Sequence, residues 1–137
     1  MNQIDPMKKW KIVFQKKIRG INPETASSKS TKRKRELKSA IIKEIGSDYK
    51  KFRDKTLRNE ILLDVIYCLY KSDSIVDSTK DIDNLLKILF DVLKINMGKE
   101  KGLGLIKDDF QIFEVKCKKI IINNPKMTGL DLKISYR

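Results

Sequence analysis

The chain has 137 residues, with 31 basic side chains, 18 acidic ones and no histidine, which gives a formal net charge of +13. The missing imidazole excludes Ser-His-Asp and Cys-His nucleophiles and zinc sites of the Cys/His type, so acid, base or metal chemistry must use carboxylates and lysines. The cysteines, Cys68 and Cys117, are too few for a disulfide scaffold, and no apolar run approaches the roughly 18 residues of a membrane span, so we expect a cytoplasmic protein with free thiols and no membrane partner.

The first half of the chain predicts a strand, a loop, a helix and a second strand. Apolar and basic residues alternate over 10–18, as in a strand, and the Gly-, Pro- and Ser-containing stretch 19–30 indicates a surface loop. Over 31–45, apolar residues recur at i, i+3, i+4 and i+8, which predicts a helix that Gly46 ends. The β-branched and aromatic run 61–70 predicts the second strand.

The second half of the chain contains the clearest helix signal. Apolar residues over 82–93 recur with helical spacing, and Gly98 stands where we expect that helix to end. Around the helix the sequence predicts loops at 71–80 and 97–104, strands at 112–122 and 130–136, and a turn at 123–129. The order β-α-β-α-β-β predicts a single small α+β domain over residues 1–137, with a mixed sheet of about four strands and two main helices on one side.

Most of the positive charge lies in the first half of the chain. Residues 1–58 contain 18 basic and six acidic side chains, whereas residues 59–137 contain 13 and 12. Clustered lysine and arginine gain affinity for nucleic acid by releasing condensed counterions, so we expect the basic half to bind DNA. The candidate DNA-binding residues are Lys16, Lys17, Arg19, Lys29, Lys32, Arg33, Lys34, Arg35 and Lys38.

The same basic residues also suit a helix face that only keeps the protein in solution. The aromatic residues, Phe113 among them, occupy core-like positions, which argues against base stacking. Contacts with DNA are therefore expected mainly at the phosphate backbone, which gives recognition of shape rather than of sequence.

An acidic segment, 81–112, carries the candidate chemistry, and it begins with the long helix. Asp81 and Asp83 stand at the start of that helix, and Lys87 and Asp91 follow Asp83 at i+4 and i+8. Residues at this spacing lie on one face of a helix, so the three form a polar stripe beside the apolar one. Lys87 is placed to neutralise a phosphate oxygen.

A second acidic pair, Asp108 and Asp109, follows after a loop. We expect it to converge with Asp81 and Asp83 and to bind Mg²⁺, or Mn²⁺ in its place, because hard cations take oxygen ligands. Such an ion activates water and stabilises charge on a scissile phosphate. Each acid also has a purely structural explanation, as a partner of the helix dipole, as one member of an i, i+4 ion pair, or as a turn residue.

The run DIDNLLKILFDVL over 81–93, followed by KDDFQI over 107–112, resembles the RusA family of Holliday junction resolvases. Members of that family carry a D-x-D-N-x-x-K helix start and, after a short loop, an Asp-Asp segment with a following Gln and Ile, and they often derive from prophages. Two spaced motifs agree here in order and separation.

The resemblance implies a homodimeric, Mg²⁺-dependent endodeoxyribonuclease that resolves four-way DNA junctions by paired symmetric nicks in recombination and repair. It places the family's essential acids on Asp81, Asp83 and Asp109 and its essential lysine on Lys87. Asp108 is then a supporting metal-binding acid. The implied fold is an α+β domain of the same element order.

Two other functions remain open. One is a non-catalytic DNA-binding accessory protein of phage origin, whose DNA binding would not depend on Mg²⁺. The other is a nuclease for flaps or other branched DNA. A surface that only binds DNA gains nothing from clustered carboxylates facing phosphate, and this favours a nuclease.

Overall fold

The computed structural model of the chain describes residues 9–21, 30–70 and 82–137. Across these ranges the elements are β1 Lys11–Arg19, α1 Ser30–Ile45, α2 Tyr49–Thr56, β2 Ile61–Tyr70, α3 Ile82–Leu93, β3 Asn96–Met97, β4 Glu100–Lys101, β5 Ile112–Ile122 and β6 Gly129–Tyr136. The predicted loop at 71–80 and most of the one at 19–30 lie outside the described residues. The α+β class and the single small domain are confirmed.

The four long strands form one mixed sheet in the order β1-β6-β2-β5. β6 lies in the middle and pairs antiparallel with both β1 and β2, whereas β2 and β5 pair in parallel. A parallel pair needs a crossover connection, and here the connection contains α3. The ends of α3 therefore lie at opposite ends of the β2–β5 pair.

The helices cover one face of the sheet. Strand residues alternate between the two faces, and Leu63, Val65 and Tyr67 of β2 lie in register with Ile134, Leu132 and Leu130 of β6 on the covered side. All six side chains are buried and belong to one hydrophobic core. The residues of the opposite face of the sheet are mostly polar.

Two amphipathic helices complete the core. α1 contributes Leu37, Ile41 and Ile45, at the i, i+4, i+8 positions that the sequence predicts. α3 contributes its own buried stripe, in which Leu85 and Leu89 are fully enclosed. α1 and α3 also pack against each other, so each helix is fixed by the sheet and by its neighbour.

Two features of the helices differ from the sequence prediction. α2 was not expected, because its sequence YKKFRDKT is mostly charged: Tyr49 and Phe52 are only partly buried against the core, and Thr56 is its one buried residue. α3 ends at Leu93, so the expected end at Gly98 is wrong. The carbonyls of Val92 and Leu93 accept hydrogen bonds from Leu103 and Leu105, because the chain turns back through the short β3–β4 hairpin.

No helix within the described residues is long and apolar enough to cross a membrane. Both cysteines are free thiols, with Cys68 buried and Cys117 half-buried. Burial raises the pKa of both thiols above the ordinary value, which leaves them protonated near neutral pH.

Two adjacent isoleucines of α1 provide a test of the helix orientation. Ile41 is 0% exposed and Ile42 is 42% exposed. We expect Ile41→Ala to lower the free energy of unfolding by about 2 to 5 kcal/mol, because it leaves a cavity in the core. Ile42→Ala should cost less than about 0.5 kcal/mol. Urea unfolding measures both, and equal costs would contradict the placement of α1.

Candidate functional site

The polar stripe of α3, formed by Asp83, Lys87 and Asp91, lies beside the buried stripe of the same helix. Asp83 is in the first turn, and both Asp83 and Lys87 are exposed to solvent. A carboxylate in the first turn is favoured there by the helix dipole. Asp81 lies outside the described residues.

The acidic pair, Asp108 and Asp109, lies in a short 3-10 turn just before β5. The carboxylate of Asp108 accepts a hydrogen bond from the backbone N–H of Asp109 at 2.7 Å, which caps the turn. Both side chains are exposed. This capping hydrogen bond therefore occupies the carboxylate of Asp108 and not that of Asp109.

Gln111 fixes the turn that carries the acidic pair. Its side chain is 5% exposed, and its amide nitrogen donates to the carbonyls of Thr56 and Asn59, both at 3.0 Å. Its amide oxygen accepts from the backbone N–H of Lys107 at 2.5 Å. Because a buried amide with partners at both ends resists displacement, Gln111 ties the acidic pair to the end of α2.

Asp91 is the centre of an ion-pair network at the far end of the polar stripe. Lys34 of α1 donates to it at 2.9 Å, and Lys94 donates to its other oxygen at 3.2 Å. Lys94 also lies 3.5 Å from Asp109. This network joins α1, α3 and the acidic pair.

The network changes the pKa of two of its members. Burial raises the pKa of Asp91, but the hydrogen bonds from Lys34 and Lys94 outweigh burial and hold that pKa below its ordinary value. Burial lowers the pKa of Lys94, but Asp91 and Asp109 outweigh it and raise that pKa. Both groups are therefore charged near neutral pH.

The structure does not bring Asp83 and Asp109 together within one chain. α3 has 12 residues, and Asp109 contacts Lys94, just beyond its last turn. At a rise of ~1.5 Å per residue, Asp83 and Lys94 are roughly 16 Å apart along the helix axis. Among the described residues, no three acidic or cysteine side chains are grouped closely enough to hold one metal ion.

The sequence pattern marked Asp91 only as part of the polar stripe. It did not single out Lys94, which pairs with Asp91, or Phe110, which is exposed. Asp91 was visible as the third member of the polar stripe, but its partner Lys34 is distant in sequence. Phe110 and Phe113 are 72% and 59% exposed, so the expected core-like position of Phe113 is wrong. Phe113 lies where the β2–β5 register shifts, which explains why alternation did not reveal its exposure.

The candidate DNA-binding residues divide into two groups. Lys16, Lys17 and Arg19 lie on β1, where Lys16 and Lys17 are exposed and Arg19 pairs with Asp131 at 2.7 Å. The others lie on α1, except Lys29, which is outside the described residues. The two groups differ in how much of their charge is neutralised within the chain.

Most of the α1 cations have partners within the chain. Arg35 makes a two-pronged contact with Glu100, with its Nε 2.8 Å and 3.0 Å from the two carboxylate oxygens. The hydrogen bond from Arg35 lowers the pKa of Glu100. Lys38 donates to the Lys101 carbonyl at 2.8 Å. Two further pairs are Arg33–Glu36 and Lys34–Asp91, and Lys32 is exposed.

Asp91 should make stability depend on pH. Its pKa is lowered in the folded chain, so its contribution is present above the unfolded pKa of about 3.9 and is lost as pH falls through the folded pKa. Asp91→Asn should therefore cost about 1 kcal/mol at pH 7 and clearly less at pH 3. Urea unfolding at both pH values measures this. Asp54→Asn, at an exposed position on α2, is the control, and a cost for Asp91→Asn that does not vary with pH would contradict the network.

Gln111 should be important for stability although its side chain is uncharged. Gln111→Leu has a similar volume but removes the acceptor of the Lys107 N–H and the side-chain donor to the carbonyls of Thr56 and Asn59. We expect a loss of about 1 to 3 kcal/mol and faster hydrogen exchange of the Lys107 amide. Unchanged exchange at that amide would show that Gln111 does not hold the turn.

The chain matches no known protein-family model and no curated protein sequence. A function for the chain must therefore be argued from its own residues: an exposed acid and lysine at the start of α3, an exposed acidic pair beyond its end, and cations around them.

Proposed function

We propose that this protein is a Mg²⁺-dependent endodeoxyribonuclease that resolves four-way DNA junctions in recombination and repair, and that it acts as a homodimer. The observation that carries the proposal is the exposure of Asp83, Lys87, Asp108 and Asp109, the described charged residues of the two RusA-like motifs. Exposed carboxylates in a protein of net charge +13 suit a surface that approaches phosphate with a cation between them.

The residues have distinct parts in this proposal. Asp83 and Asp109 offer carboxylate oxygens as ligands, with Asp81 and Asp108 as further donors. Lys87, one turn from Asp83, holds a non-bridging oxygen of the scissile phosphate by charge. When bound, Mg²⁺ lowers the pKa of a water molecule and stabilises negative charge on the phosphate.

The separation of Asp83 from Asp109 along α3 favours a site made by two chains. If two copies place their α3 helices antiparallel, the start of one helix lies beside the end of the other. Asp83 then meets Asp109 of the partner subunit, and two-fold symmetry makes two such sites. Two equivalent sites suit paired nicks on two symmetry-related DNA strands.

A non-catalytic DNA-binding protein is the second candidate, and the same separation favours it if the chain acts alone. Such a protein would bind DNA without dependence on Mg²⁺, and changes at Asp109 would not weaken that binding. A nuclease for other branched DNA would retain the Mg²⁺ dependence. Competition among junction, flap and duplex substrates separates it from a junction resolvase.

The nuclease is tested with a labelled synthetic four-way junction in Mg²⁺. Wild-type protein should make symmetric nicks, and Asp83→Asn, Asp109→Asn and Lys87→Ala should each reduce the nicking rate by about two orders of magnitude or more. Asp54→Asn on α2 is the control for loss of one carboxylate. Absence of nicking by the wild type would rule the nuclease out, and full activity of Asp83→Asn would rule out the proposed site.

Co-expression of two inactive variants tests whether two chains share each site. In a mixed dimer of Asp83→Asn with Asp109→Asn, one shared site carries both changes and the other carries neither. We therefore expect single nicks to return in the mixture. If each chain holds a whole site, both sites of the mixed dimer stay inactive and nicking does not return.

A further inference from the structure

The face of the sheet opposite the helices carries a second group of cations. Alternation along the strands places five of them there, namely Lys17, Arg19, Lys116, Lys118 and Lys133. The same face holds three carboxylates, of Asp64, Glu114 and Asp131. No described helix covers it, and Lys17, Lys116 and Lys118 are exposed there.

The carboxylates at the centre of this face are already neutralised. Asp131 lies 2.7 Å from Arg19, and Asp64 lies 3.9 Å from Lys133. By contrast, Lys17, Lys116 and Lys118 are exposed and have no ion pair among the described residues, and the third carboxylate, Glu114, is exposed near the start of β5. Three lysines against one carboxylate leave a net positive charge for a partner, and it lies toward the two edges of the sheet.

The spacing of these lysines suits a double-stranded nucleic acid. One row of residues crosses the whole sheet. It runs from Lys17 on β1 to Asp131 on β6, then to Ile66 on β2, and ends at Lys118 on β5. Three steps of ~4.8 Å between strands separate Lys17 from Lys118 by roughly 14 Å. This distance is close to the width of the major groove, about 12 Å, so flexible lysines at both edges reach phosphates of both strands.

Two shallow depressions lie on this face, on either side of Asp64. One, of about 410 Å³, has Lys17 and Lys133 in its lining, and the other, of about 240 Å³, has Lys116 and Lys118. The first also has Lys16 and Asp131 in its lining, Asp64 lines both, and lysines outnumber carboxylates in each. This arrangement suits a phosphate group more than an apolar ligand.

We propose that this open face of the sheet binds the phosphate backbone of double-stranded DNA through Lys17, Lys116 and Lys118. On α1, by contrast, much of the positive charge is neutralised by Glu36, Asp91 and Glu100. The proposal rests on the proposed function only in taking DNA as the partner. β5 contributes two of the three lysines of this surface.

The test compares two triple variants that remove the same charge from different places. One is Lys17→Gln with Lys116→Gln and Lys118→Gln on the sheet face. The matched control is Lys43→Gln with Lys50→Gln and Lys51→Gln, all exposed on α1 and α2. Fluorescence anisotropy in EDTA measures the binding of a labelled duplex and of a four-way junction over a series of salt concentrations.

We expect the sheet-face variant to bind at least tenfold more weakly, and the slope of log K against log salt to fall by about 2 to 3, since each lost phosphate contact removes about 0.9. The control should keep the wild-type slope. The corresponding Lys→Arg triple retains the charge and should keep the wild-type binding, and a wild-type circular dichroism spectrum of the Lys→Gln triple excludes misfolding as the cause.

Equal slopes for the two triple variants, or no binding of duplex by the wild type, would overturn the proposal. The nicking assay in Mg²⁺ reports on the proposed function separately. Binding through the sheet face without any nicking would overturn the nuclease alone. If the wild type nicks the junction and the sheet-face variant binds as well as the wild type, only the proposed surface is overturned.

Discussion

The parallel pairing of β2 with β5 governs the placement of the candidate site. A parallel pair obliges the chain to return along the sheet between its two strands, and α3 makes that return. Residues that precede α3 and residues that follow it are therefore held at opposite ends of a 12-residue helix. Asp83 and Asp109 are separated by topology rather than by a side-chain orientation, and a rotamer change cannot bring them together.

The cations of the chain form two groups, one on α1 and one on the open face of the sheet. On α1, cations join elements within the fold, as Lys34 joins α1 to α3 and Arg35 joins α1 to β4. Such pairs place charge where an approaching phosphate must compete with an existing carboxylate. On the open face of the sheet, Lys17 and Lys118 have no such competitor among the described residues, so net charge alone does not locate the proposed DNA-binding surface.

Much of the fold follows from local sequence patterns, whereas the geometry of the site depends on contacts between distant parts of the chain. The bounds of β2 and β5 match the prediction, because long β-branched runs leave little choice of structure. α2 did not stand out, because few of its residues are apolar. The apolar stripe of α3 predicted that Asp83 and Lys87 are exposed, but their distance from Asp109 depends on strand order, which periodicity does not contain.

The proposed site and the proposed DNA-binding face lie on opposite layers of the domain. Asp83 and Lys87 are on the exposed side of α3, while Lys17, Lys116 and Lys118 are beyond the sheet. One straight duplex cannot lie along both layers, because the sheet and its helices stand between them. If both proposals hold, different arms of a branched molecule contact the two layers, on one copy or on two. The two-layer fold therefore favours branched DNA over plain duplex as the proposed substrate.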